Sequence, residues 1–342
     1  MIYTLACLFL LCLVGIQFGR EKAFEEYLTK DRTNAIKGIF ILIVFLSHIR
    51  PYLHNAGFEY NTIGDILFRR FMNYTSQLMV VMFLFYSGYG VMESIKKKKD
   101  DYIKTIPRHR VLNTLFNFDV AVCIFLIVNL FIGKKITLPQ FMLSLIAWDS
   151  VGNSNWYIFA ILICYLSTWM TASIIKDPQK MNIGNLLLLI IVSFALSLVK
   201  ESYWYNTLWA YPAGMLFSTN LKRIESFIDL HYILSLFILL SLFSLIYAIP
   251  MDLAGLRMNF LSIVFALTVT TLSMRIRIYN PVLRWCGEKL FPLYIYQRIP
   301  MIVFAAILPS AILTDYTFFY VLICFIVTIL ICYCHKFINI KL

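Results

Sequence analysis

Lys37-Gly38-Ile39-Phe40-Ile41-Leu42-Ile43-Val44-Phe45-Leu46-Ser47-His48 is an apolar run with a cation at its start and an imidazole at its far end. An ionisable group inside a hydrocarbon-spanning helix is costly, so one that persists there usually faces a bundle interior or a water-filled cavity. Eleven residue steps separate Lys37 from His48. At about 100° per step they return to within roughly 20° of one direction, so the two side chains share a helix face. With about 1.5 Å rise per residue they lie roughly 16 Å apart along the axis, which lets Lys37 reach interfacial water or phosphate while His48 stays within the membrane.

The rest of the chain places this helix among others like it. Of 342 residues, 61% are hydrophobic and 14% charged, a balance outside the soluble globular class. Apolar segments able to cross about 30 Å of hydrocarbon occur near residues 3–19, 37–53, 74–92, 111–132, 156–175, 184–199, 204–218, 230–249, 257–274, 290–308 and 317–335. They predict an all-α integral membrane protein, a polytopic bundle of about 10–11 transmembrane helices. The stretch 138–148 has about half the required length and precedes the polar turn Asp149-Ser150-Val151-Gly152-Asn153-Ser154-Asn155. It reads as interfacial or re-entrant, or equally as a short tilted helix that would invert every later span.

The formal charge is +12, but the basic residues concentrate in alternate connections. Arg20, Lys22, Lys30, Arg32 and Lys37 fall in the first, and Lys96 to Lys99, Lys104, Arg108 and Arg110 in the next. Lys176, Lys180, Lys222, Arg223, Arg275, Arg277, Arg284, Lys289, Lys336 and Lys341 follow on the same side. The positive-inside rule accounts for this without a nucleic-acid partner and predicts a cytoplasmic C-terminus. Residues 1–19 have no basic n-region and no small-residue cleavage site, and read as a retained extra N-terminal transmembrane helix. No linker or internal repeat divides the chain, so 1–342 is expected to be one membrane domain. The eight cysteines lack the spacing of a disulfide framework. The five histidines lack the spacing of a metal pair, and no metal is expected.

Three constellations carry chemistry. His48 is a candidate general base, or a residue that merely bonds two helices together. In Phe83-Leu84-Phe85-Tyr86-Ser87-Gly88-Tyr89-Gly90 a hydroxyl and two glycines interrupt an aromatic helix, either for close helix packing or to wall the site that holds His48. Arg108-His109-Arg110, behind Pro107, combines guanidinium groups suited to phosphate with a helix start, and with Lys37 would form a phosphate-binding rim. Asp149 and Glu201 are candidate acceptors for sugar hydroxyls or solvated loop charges. Tyr203-Trp204-Tyr205 with Trp209 and Tyr211 reads as an interfacial aromatic belt or as a surface for stacking sugars.

Lys37-Gly38 through His48, followed by Phe85-Tyr86-Ser87-Gly88-Tyr89, resembles the opening helices of the membrane acyltransferase 3 family. That family's pattern is an arginine, ten residues and a histidine, then a Phe-x-x-Ser-Gly-Phe-like stretch. Trp156-Tyr157-Ile158-Phe159 resembles the family's Trp-Phe/Tyr segment, and Gly287 through Tyr294 to Gln297 resembles its spaced Gly, Tyr and His. Two departures stand out: Lys37 replaces the arginine, which looks like the branch that acetylates sugar hydroxyls, and Gln297 stands where many members have a second histidine. The resemblance implies transfer of an acyl group, usually acetyl, from cytoplasmic acetyl-CoA to a carbohydrate hydroxyl. His48 would then be the general base with Ser87 orienting the acceptor or the oxyanion, Lys37, Arg108 and Arg110 would bind the CoA phosphates, and Tyr86, Trp156, Tyr294 and Gln297 would contact substrate. It further implies a bacterial plasma (inner) membrane protein whose partners are acyl-CoA, a cell-surface polysaccharide or its lipid-linked precursor, membrane lipid and the polysaccharide biosynthesis machinery. A polysaccharide or lipid-linked sugar transporter or flippase is the main alternative, predicting repeated halves and paired broken helices. A polymerase of lipid-linked units, using arginines such as Arg50, Arg69 and Arg70, is another.

Overall fold

A computed structural model describes residues 1–19, 26–338 and 340 of the chain; Arg20, Lys22 and Lys341 lie outside them. The elements run α1 (Ile2–Leu13), β1 (Ile16–Phe18), α2 (Lys30–Asn55), α3 (Ile63–Thr75), α4 (Val81–Thr105), α5 (Asn113–Phe131), α6 (Leu138–Leu145), α7 (Trp156–Ile174), α8 (Pro178–Ser197) and α9 (Ala210–Thr219). The second half runs α10 (Leu221–Leu230), α11 (Tyr232–Ala248), α12 (Leu256–Arg275), β2 (Ile276–Ile278), α13 (Pro281–Glu288), α14 (Leu290–Tyr296), α15 (Arg298–Ile307), α16 (Ser310–Asp315) and α17 (Thr317–Ile338). The only sheet among the described residues is the antiparallel pair β1–β2, which ties residues 16–18 to 276–278. The protein is an all-α polytopic membrane protein.

Seven of the described helical segments are long and apolar enough to cross a membrane, or eight if the bent pair α10–α11 is one span. The sequence expectation of about 10–11 differs for reasons visible in the backbone. The 55-residue segment Gln77–Phe131 contains two expected spans, with a break where Lys99 takes φ 48° and ψ −132°. α1 has 12 residues, a rise of about 18 Å, and stops before the tight turn at Gly15 (φ 80°). The 204–218 region becomes α-helical only at Ala210, where the 10-residue α9 begins, after a short 3-10 turn at Ser202–Trp204. α6, with 8 residues, is far too short to span by itself and leads into an irregular buried loop.

Two helix pairs are held at backbone contact by glycine. A Cβ on Gly38 of α2 would collide with the carbonyl oxygen of Leu283 in α13, and one on Gly287 of α13 with that of Asn34 in α2. The same reciprocity joins α4 and α9: Gly88 lies on the Tyr211 carbonyl and Gly214 on that of Phe85. Where no water competes between apolar helices, small residues that let backbones approach are a principal source of association. They also fix the rotation of α2 and α4, and so the direction in which Lys37, His48, Tyr86 and Ser87 project. Gly90, two residues from Gly88, faces open space. The two glycines of the aromatic stretch thus do different jobs, one packing and one leaving room.

Gly88→Ala is therefore expected to destabilise the detergent-solubilised protein by about 1–3 kcal/mol through overpacking, read as a lower thermal unfolding midpoint. Gly90→Ala should leave that midpoint unchanged or raise it slightly. Equal midpoints for the two variants would mean that α4 and α9 can part without cost.

Candidate functional site

A cavity of about 500 Å³ is lined by Lys30, Thr33 and Lys37 of α2, Tyr86, Ser87, Tyr89 and Gly90 of α4, Arg110, Tyr157 of α7, Glu288 of α13 and Phe291 of α14. Arg110 is positioned by aromatic rings. Its Nε donates to the Tyr102 hydroxyl at 3.0 Å, and its guanidinium lies 5.8 Å from the Tyr165 ring centroid, a cation–π geometry. The Tyr165 hydroxyl in turn shares a 2.9 Å hydrogen bond with Ser87 Oγ. Among the described residues no carboxylate pairs with Lys37 or Arg110, so both cations keep capacity for an anion. The Tyr86 hydroxyl is buried here.

A second cavity, of about 740 Å³, lies toward the other end of α2 and is lined by Ser47, His48 and Arg50, by Asn73 and Gln77, by the 150–156 segment, and by Tyr203, Tyr294 and Arg298. Pro51, inside α2, brings no N–H to the ladder, so the carbonyl of Ser47, four residues back, loses its helical donor beside this cavity. His48 Nδ1 lies 3.4 Å from Ser154 Oγ. With its proton on Nδ1 and shared with that serine, the imidazole keeps a basic lone pair on Nε2.

The 149–155 loop that carries Ser154 is irregular backbone within protein, which a membrane tolerates only when its polar groups are satisfied. Asn155 Nδ2 donates to the carbonyls of Ala147 (3.0 Å) and Asp149 (2.8 Å), Gln140 Nε2 to that of Ser150 (2.9 Å), and Asn129 Nδ2 to that of Val151. α6 and this loop therefore form one hydrogen-bonded unit that brings Ser150, Asn153, Ser154 and Asn155 to the cavity of His48.

The two cavities approach each other at a pair of rings. Tyr157, a wall of the first, stands edge-on to Tyr294, a wall of the second, with centroids 5.1 Å apart. Tyr294 is in turn edge-on to His48 at 5.9 Å.

The expected site residues divide between these places. Lys37, Tyr86, Ser87 and Arg110 line the first cavity and His48, Trp156 and Tyr294 the second. Ser87 thus faces the Lys37 side and not His48. Arg108 is exposed and lines neither cavity. It is two residues from Arg110, on a π-helical turn spanning Ile106–Leu112, and points elsewhere. Gln297 is buried outside both, its Nε2 donating to the Tyr294 carbonyl at 3.2 Å. Of the outer aromatic cluster only Tyr203 reaches the second cavity, while Trp204, Tyr205, Trp209 and Tyr211 are core residues, neither belt nor platform. Asp149 accepts from the backbone N–H of Ser150, and neither it nor Glu201 lines the cavity.

Sequence reasoning missed Arg298. Its Nε donates to the Tyr52 hydroxyl at 3.1 Å, and it lines the His48 cavity. The signal was available, since Arg298 is a charge inside the apolar stretch 290–308 and meets the criterion applied to His48.

This arrangement defines a class: a helical membrane protein with two polar cavities, both bordered by cations and one also holding a histidine, lined from different ends of one helix. A family model described as an acyltransferase domain, that of the acyltransferase 3 family, matches residues 31–336, and the chain belongs to that family of membrane acyltransferases. Comparison with curated proteins and with solved structures gives no match.

Asn155→Ala would leave the Ala147 and Asp149 carbonyls without this donor, at about 1–3 kcal/mol of local stability. Faster amide hydrogen exchange confined to 147–155 is expected. Unchanged exchange there would show that Asn129 and Gln140 hold the loop alone.

Proposed function

We propose that the protein is an O-acyltransferase that takes a short acyl group, acetyl first among them, from cytoplasmic acyl-CoA bound at the Lys37 end. It passes that group to a carbohydrate hydroxyl at the His48 end. The observation that carries this reading is the pair of cavities meeting at the Tyr157–Tyr294 contact. A donor with phosphates at one end and a reactive thioester at the other fits a cationic cavity that leads toward a histidine. Lys37 and Arg110 supply the charge for the phosphates. Tyr86 and Ser87 line the course of the pantetheine arm, and Trp156, Tyr203 and Tyr294 flank the acceptor.

The chemistry follows from the His48–Ser154 contact. Nε2 of His48 takes the proton of the acceptor hydroxyl as its oxygen attacks the thioester carbonyl. The tetrahedral adduct collapses, the carbon–sulfur bond breaks, and the imidazolium returns its proton to the departing thiolate, so the products are an ester and free CoA thiol. The acceptor we favour is a bacterial cell-surface polysaccharide or its lipid-linked precursor, which would place the protein in the inner membrane beside the machinery of polysaccharide synthesis.

Membranes containing the protein, supplied with isotopically labelled acetyl-CoA, are expected to place label on glycan, and His48→Ala membranes with equal amounts of inserted protein to place none. Transfer retained in His48→Ala would sink the mechanism. Absence of label in both, with other short acyl-CoA donors also tried, would favour a transporter.

On the donor side, Lys37→Glu and Arg110→Gln should raise the apparent KM for acetyl-CoA about tenfold or more, whereas Lys37→Arg and Arg108→Gln should leave it near the wild-type value. An equal effect of Arg108→Gln and Arg110→Gln would remove the assigned cavity from donor binding.

A further inference from the structure

The lining of the His48 cavity is one-sided in charge. Arg50 and Arg298 both border it, and no aspartate or glutamate does among the described residues. Neither arginine has a carboxylate partner among those residues. Arg50 spends one Nη2 bond on the Asn73 amide oxygen, 3.0 Å away. Arg298 is steered by the Tyr52 hydroxyl through Nε and by the Asn153 carbonyl, 3.5 Å from Nη1, and its fork has further donors to offer. Its guanidinium also lies 5.7 Å from the Tyr52 ring centroid.

Two other features have the same sign. α7 begins at Trp156 with Asn155 as its cap residue, and residues 153–156 border the cavity, so the positive end of a 19-residue helix faces it. The Asn153 side-chain nitrogen, in a residue 2% exposed, is a donor without an acceptor among the described residues. A neutral sugar would be expected to meet a mixture of donors and acceptors, with carboxylates among them. This cavity has neutral acceptors, the Gln77 amide oxygen and the Ser47 carbonyl among them, but no carboxylate among the described residues, and it offers two cations, N–H donors and a helix N-terminus.

We infer that the acceptor carries an anionic group, a carboxylate or a phosphodiester, and that Arg298 with Arg50 binds it so that a neighbouring hydroxyl is presented to His48. The inference rests on the acyl-transfer reading and narrows its acceptor to charged glycans. A guanidinium fork suits both oxyanions, which share planar or forked pairs of oxygens.

The test applies to a glycan of any structure. Membranes containing the full-length protein are given labelled acetyl-CoA, and the labelled glycan is released and applied to an anion exchanger at pH 6 and at pH 2. Retention at both pH values identifies a phosphodiester. Retention at pH 6 that is lost at pH 2 identifies a carboxylate, which is protonated there. Either result supports the inference. Label that passes through uncharged at pH 6 overturns it while leaving the acyltransferase reading intact, and absence of His48-dependent label overturns that reading and the inference with it. In the same membranes Arg298→Gln is expected to lower the initial rate of labelling about tenfold or more, with partial recovery in Arg298→Lys and an unchanged dependence on acetyl-CoA concentration. Arg50→Gln, altering an arginine at the cavity edge, should lower the rate less. A full rate in both Gln variants would also overturn the inference.

Discussion

Backbone-to-backbone contact at four glycines is the constraint on which the site depends. Gly38 and Gly287 press α2 against α13, and Gly88 and Gly214 press α4 against α9. Each contact is reciprocal, so neither helix of a pair can slide or rotate without driving a carbonyl into a backbone. α2 carries Lys37 and His48, and α4 carries Tyr86 and Ser87. The direction of those side chains is therefore set by atoms that take no part in chemistry. This also explains why an apolar helix can keep polar groups at two depths: the faces that would otherwise meet lipid are occupied by protein.

Much of the helical plan was legible because hydrocarbon thickness imposes a minimum length on apolar segments, and the chain obeys it at α2, α7, α8, α12 and α17. The sequence was least informative where a segment is apolar but not long. α1, α6 and α9 are as hydrophobic as true spans, and only the turn at Gly15, the loop after Leu145 and the 3-10 turn before α9 cut them short. Those breaks arise from packing and from side-chain hydrogen bonds such as those of Asn155, Gln140 and Asn129, which leave no periodic trace.

At the site, the shared face of Lys37 and His48 could be read from spacing alone, because a helix converts residue number into direction. Which cavity each other residue would join could not. Ser87 and Tyr294 sit on short, broken or tightly packed elements whose neighbours are remote in sequence, and Arg108 and Arg110 are parted by a local π-helical turn. Arg298 was legible in principle, as a lone charge in an apolar stretch, but its partners Tyr52 and Asn153 come from other helices and loops. The 149–155 loop supplies Ser150, Asn153, Ser154 and Asn155 to the His48 cavity, and only its polarity, not its destination, was written in the sequence.

The Tyr157–Tyr294 contact has an electrical consequence. If water fills the polar cavities on either side of it, the insulating layer between them is about the width of two aromatic rings. A transmembrane potential would fall mainly across that layer, where a unit charge moved through 100 mV gains or loses about 2.3 kcal/mol. On the proposed reading, the acyl group that passes the ring pair would be neutral, and the donor phosphates and the arginines would stay on their own sides. Acyl transfer organised as proposed would move a group across the barrier without moving charge, and so would draw nothing from the membrane voltage.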